Sequence, residues 1–137
     1  MTLSTTRSLH LATGRVNVVV RFYIVLVCAA SAGVHAALVS DHLRESRALG
    51  LAFALCASFL ALGALVLGQS LHDSWAPRTA GILLGLTDLA YAMSRTTGIP
   101  WLIHHPEQLD ALGLATSAAE VIAALSATLL ITRKEPQ

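Results

Sequence analysis

Residues 22–40 read FYIVLVCAASAGVHAALVS, a run whose one acidic or basic side chain is His35. As a helix rising about 1.5 Å per residue, it approaches the ~30 Å thickness of a bilayer's hydrocarbon core. Lipid demands a helix here, because each backbone N–H and C=O must find its partner inside the segment. Three more segments follow the pattern. Residues 48–68 carry no acidic or basic side chain, 111–132 carry only Glu120, and the shorter 79–94 is interrupted only by Asp88 and gains length from 76–78. The 137-residue chain is 55% hydrophobic and 12% charged, with a mean hydropathy of +0.66, outside the range of ordinary soluble domains. The expected fold class is all-α: an integral membrane four-helix bundle forming one domain over 1–137, multi-pass in the cell membrane. Its helices are expected near 22–40, 48–68, 77–95 and 111–132, after a flexible cytoplasmic arm over 1–20.

Arg and Lys collect on the cytoplasmic side of membrane proteins. The N-terminal segment, the 69–78 loop and the C-terminal segment hold Arg7, Arg15, Arg21, Arg78, Arg133 and Lys134, against Arg44, Arg47 and Arg95 in the two other loops. Both termini are therefore expected in the cytoplasm. The rival reading is a cleaved signal peptide ending near Ala30-Ser31-Ala32. It is disfavoured by a long stretch before the apolar run and by apolar sequence continuing past the cut. Cys28 does not suit a lipid anchor, since Val27 stands where a small residue is needed. Cys28 and Cys56 both fall inside spans and imply no disulfide framework. Nine Lys and Arg against eight Asp and Glu give no basic field for nucleic acid. The expected partners are the bilayer and further membrane chains, as a homo-oligomer or in a larger complex. Small residues four apart, Ala29 with Gly33 and Gly81 with Gly85, are expected to let helices approach closely.

The ionisable groups gather at one end. With the termini inside, the loops after the first and third helices share the extracytoplasmic side. One supplies Asp41, His42 and Glu45, and the other Arg95, His104, His105, Glu107 and Asp110. Counting helical rise, His35, Asp88 and Glu120 lie roughly 7 to 14 Å below that boundary, one on each of three helices. A charge facing lipid costs several kcal/mol, so these three are expected to face one another inside the bundle. The second helix has none and is expected to close the bundle and meet lipid.

Imidazole with carboxylates suits a divalent transition metal: zinc, iron, manganese, nickel or cupric copper. His35, Asp88 and Glu120 form one expected ligand set, and His42, His104 and His105 are further ligands. His42 and Glu45, three apart at a helix end, make a chelating pair. No closed signature such as HExxH or paired CxxC occurs. A second reading makes the deep groups a proton relay or the accessory site of a redox complex, with a haem between His35 and the 104–105 pair as a variant. A third is structural: acid and histidine hydrogen-bond across helices, with Arg95 satisfying Asp88. An enzyme is the weakest class, since no activated nucleophile or phosphate-cradling loop is present and no catalytic residue is assigned; a small membrane oxidoreductase using the metal layer would be its form.

GVHAALVSDHLRES at 33–46 and SRTTGIPW at 94–101 resemble a group of small four-helix bacterial membrane proteins, common in actinobacteria. These pair a G-x-H-x-x-L-x-x-x-H-L-x-E motif with S-R-T-x-G-x-P. The positions here are Gly33, His35, Leu38, His42, Leu43 and Glu45, then Ser94, Arg95, Thr96, Gly98 and Pro100. The resemblance covers roughly residues 33–120. It implies the bundle fold and draws attention to His35, His42, Glu45 and Arg95, and it carries no activity with it.

Overall fold

The structure, a computed structural model, describes the backbone over residues 3–69, 75–103 and 105–132, and side chains over 16–69, 75–103 and 105–130. It is all-α: α1 (Leu3–Glu45), α2 (Arg47–Gln69), α3 (Trp75–Thr96) and α4 (Ala111–Thr132). Three of the four expected helices keep their bounds to within two residues. The first does not, because residues 3–20, expected as a flexible arm, have helical backbone continuous with the apolar run. No proline precedes Pro77, so nothing in this stretch removes a backbone donor and breaks the ladder. At 43 residues, α1 is about 65 Å long, roughly twice what a bilayer core needs.

α1, α2 and α4 are long and apolar enough to cross a membrane. α3 carries Arg78, Asp88 and Arg95. Its outward positions are nonetheless apolar. Ile82, Leu86 and Leu89 are exposed at helical spacing, while Thr87 and Ser94 are buried. The other helices repeat this, with Phe22 and Leu26 on α1, Leu51, Leu55, Phe59 and Leu62 on α2, and Ile122 and Leu125 on α4 all exposed. Ser31 and Glu120 lie in the interior. Large apolar side chains cover the outside of the helices while a few polar ones lie inside, unlike the polar surface of a water-soluble bundle.

α2 folds back on α1 through the single residue Ser46, whose N–H donates to the His42 carbonyl (2.9 Å). The corner is tight because position 50 is glycine: a Cβ there would overlap the Leu43 side chain and come within 2.8 Å of its Cα. At the α3–α4 crossing, a Cβ on Gly81 would lie 3.0 Å from that of Ala127. The other small residues expected at crossings do not serve there. Ala29 is exposed, and a Cβ on Gly33 or Gly85 would meet nothing within 4 Å. Ile24, Cys28, Leu60, Leu67, Leu84, Ala123 and Ala127 form the apolar centre of the bundle.

Candidate functional site

The mouth of the bundle is built where α1 ends and the 97–110 loop passes over it. α3 stops as Gly98 takes φ 76°, a left-handed conformation that glycine enters without a Cβ penalty. A turn from Ile99 to Ile103 follows, with Pro100 and Trp101 at its centre and Leu102 N–H donating to the Ile99 carbonyl (3.0 Å). The loop is then drawn back onto α3, since Glu107 N–H donates to the Ser94 carbonyl (2.9 Å). Arg95 fixes it further. Its guanidinium pairs with Glu107 Oε2 (3.2 Å) and Asp110 Oδ2 (3.0 Å), donates to the Gln108 carbonyl, and lies over the Tyr91 ring at 4.9 Å. Asp110 Oδ1 accepts from Gly113 N–H (2.6 Å), capping α4 as an N-terminal aspartate does.

This anchoring carries Glu107 to the end of α1. His42, Glu45 and Glu107 each present a ligand atom, and all three atoms lie within 4.8 Å of one another. His42 Nδ1–H donates to the Leu38 carbonyl (2.9 Å), so Nε2 is the nitrogen free to offer a lone pair. A backbone acceptor on the far nitrogen is the usual way a ligating histidine is oriented. Phe53 of α2 stacks on the ring, with centroids 3.9 Å apart and planes 21° from parallel.

Two to three turns deeper is a polar layer. Ser31 donates to Glu120 Oε1, joining α1 to α4, and Ser117 donates to Asp88 Oδ1 (2.6 Å), joining α4 to α3. The Glu120 and Asp88 carboxyls are close enough to repel one another. His35 Nδ1–H donates to the Ser31 carbonyl (2.9 Å), the same i−4 bond that His42 makes. Its ring lies against the Cys56 thiol, which also approaches the Thr87 hydroxyl (3.8 Å).

The residues singled out in the sequence thus divide. His42 and Glu45 come together at the mouth with Glu107. His35, Asp88 and Glu120 occupy one layer, with the Asp88 and Glu120 carboxyls facing one another, and each of the three is bonded to a serine. Among the described residues, the set with three ligand atoms within 4.8 Å of one another is the one at the mouth, not this trio. Arg95 pairs with the loop acids rather than with Asp88, because its side chain runs toward the loop and over Tyr91. His105 is exposed and outside the cluster, and His104 lies outside the described residues. Sequence reading missed Phe53 and Cys56, having left α2 to lipid. Their three-residue spacing on one face is the signal that was available, and it is a weak one.

Between mouth and layer lies a cavity of about 720 Å³, bounded by all four helices and the loop. Compared with protein-family models, curated proteins and solved structures, the chain finds no match.

Proposed function

We propose that this is a multi-pass protein of the cell membrane, with both termini cytoplasmic, that binds a divalent transition-metal ion on its extracytoplasmic face at His42, Glu45 and Glu107 and senses it or passes it inward. The observation that carries the reading is convergence. Ligand atoms from a helix end and from a separate, firmly anchored loop lie within 4.8 Å of one another, and the histidine among them is already oriented by a backbone acceptor. One imidazole with two carboxylates suits zinc, iron, manganese, nickel or cupric copper. Its charge also fits, since Glu45, Glu107 and Asp110 bring three negative charges against the one guanidinium of Arg95, and an incoming dication balances the remaining two. The outward apolar faces and the Arg and Lys asymmetry support the membrane placement. The resemblance to the small four-helix bacterial proteins agrees with it, because His42, Glu45 and Arg95 of its motifs all take part in the mouth.

A second reading, a proton-relay or structural accessory subunit, is favoured by the Ser31–Glu120 and Asp88–Ser117 bonds, which tie three helices together whether or not metal is present. Elemental analysis of detergent-purified protein separates the two. The metal reading expects about one ion per chain, lost in Glu45→Gln and Glu107→Gln, weakened at least about tenfold in His42→Ala, and kept in His105→Ala. Wild-type protein that takes up none of the five metals on dialysis overturns it.

A further inference from the structure

The cavity is far larger than a metal ion requires. An ion with six waters occupies roughly 200 Å³, taking about 30 Å³ per water, whereas 720 Å³ falls among the sites that hold small organic molecules, about 300–1,000 Å³. We propose that this cavity binds a hydrophobic amine, whose ammonium group pairs with Glu120 and whose apolar body fills the space beneath the 97–110 loop.

The charge inventory selects the cation. Among the described residues, Arg95 is the one guanidinium on the wall and no lysine joins it; it is already matched by Glu107 and Asp110. Glu120 has no guanidinium or ammonium partner. It is 2% exposed, it accepts one hydrogen bond from Ser31, and its ionisable neighbours across the layer are the Asp88 carboxyl and the His35 imidazole, whose Nδ1–H is spent on the Ser31 carbonyl. An anion entering the cavity meets acids at both ends, while a neutral molecule leaves Glu120 as it was. A cation gains a buried ion pair in a setting of low dielectric.

A second observation points the same way. Tyr91 Oη and Asp88 Oδ2 are buried and have no hydrogen-bond partner among the described residues. They lie three apart on α3, and Tyr91 lines the cavity. Buried polar atoms are normally paired, and an ammonium group has several N–H donors to offer. Glu120 and Asp88 Oδ2, which face one another across the layer, are acceptors for two of them. Above this end the wall turns apolar, with Leu38, Phe53, Leu102 and Ile103 presenting surface for a compact hydrocarbon body.

Three probes with one hydrocarbon cage test this: 1-aminoadamantane, 1-adamantanol and 1-adamantanecarboxylate, titrated against the full chain in lipid nanodiscs with empty nanodiscs as the blank. Saturable binding of one amine per chain is expected, with the alcohol about tenfold weaker or worse and the carboxylate absent. Glu120→Gln lowers amine affinity about tenfold and leaves the alcohol within about threefold. Asp88→Asn lowers the amine alone by about threefold. Leu38→Trp, which fills the cavity, abolishes binding of both and keeps the test decisive should Glu120→Gln fail to fold. Glu45→Gln and Glu107→Gln, which dismantle the metal set, leave amine affinity within about threefold, so the two proposals fail separately. Equal affinity for amine and alcohol, amine binding that survives Leu38→Trp, or uptake no greater than by empty nanodiscs overturns the inference.

Discussion

Gly50→Ala and Gly85→Ala make the same chemical change at two helical positions, and the structure gives them different outcomes. Alanine gains up to about 1 kcal/mol over glycine in a helix interior. At Gly85 the new methyl meets nothing within 4 Å, so that gain is realised. At Gly50 the methyl overlaps the Leu43 side chain and comes within 2.8 Å of the Leu43 Cα. A side-chain tip can swing away but a Cα cannot, so relief requires the α1–α2 corner to open. Overpacking of this kind costs about 1–3 kcal/mol. Propensity favours both substitutions alike, so Gly50→Ala is expected to fall about 1–3 kcal/mol below Gly85→Ala. Cys28, 0% exposed, supplies the assay, since a thiol-reactive dye that reaches it on unfolding reports the thermal transition in detergent. Leu43→Ala removes the side-chain part of the overlap and should recover part of the loss in the double variant. The corner also sets Phe53 against His42, so metal affinity should fall in Gly50→Ala and not in Gly85→Ala. A Gly50→Ala protein as stable as Gly85→Ala refutes the reasoning.

Three further substitutions probe the polar layer and the loop. Ser31→Ala removes the hydroxyl that donates to Glu120 and should cost about 0.6–2 kcal/mol in the same thermal assay; an unchanged midpoint would mean that this bond does not hold α1 to α4. Arg95→Gln releases Glu107, Asp110 and the Gln108 carbonyl together, so amide exchange over 97–110 should accelerate and metal affinity should drop at least about tenfold, because Glu107 is no longer held to the mouth. Retained affinity would separate the loop anchor from the site. Trp101 holds φ 65° at the third position of its turn, where glycine is the favoured residue. Trp101→Gly should therefore raise detergent stability by about 1 kcal/mol, and a lowered midpoint would mean that the exposed ring makes contacts outweighing the strain.

Hydropathy and helical rise were enough to read the four helices and the common level of His35, Asp88 and Glu120, because both depend on spacing along one chain. What the polar groups do with one another was not legible in the same way. Whether Glu120 meets Ser31 or His35, one turn apart on the same face of α1, depends on the offset of α4 along α1, which is set by alanines and glycines that look alike in sequence. Arg95 illustrates the same limit. From position 95 it can reach Asp88, seven residues back, or Asp110, fifteen ahead, and only the course of the loop decides. The start of α1 differs for a simpler reason. Residues 3–20 are not apolar enough to read as a span, but a helix already nucleated by the apolar run can continue through polar residues where none of them breaks it.

His35 and His42 sit seven residues apart on one face of α1, about 10 Å along the axis, too far for one ion to bridge. Phe53 lies against both, with ring centroids 5.4 Å from His35 and 3.9 Å from His42. Both imidazoles spend Nδ1–H on a carbonyl one turn back, so His42 has Nε2 available beside the phenyl ring, while the His35 ring meets the Cys56 thiol. The two levels of the site are therefore coupled through α2, the helix with no acid or base between residues 48 and 68. A phenyl ring there offers no ligand of its own and cannot compete for an ion. It can hold the two imidazoles in register between mouth and layer. That arrangement gives a packing role to the aromatic side chain that faces a histidine at each of the two levels.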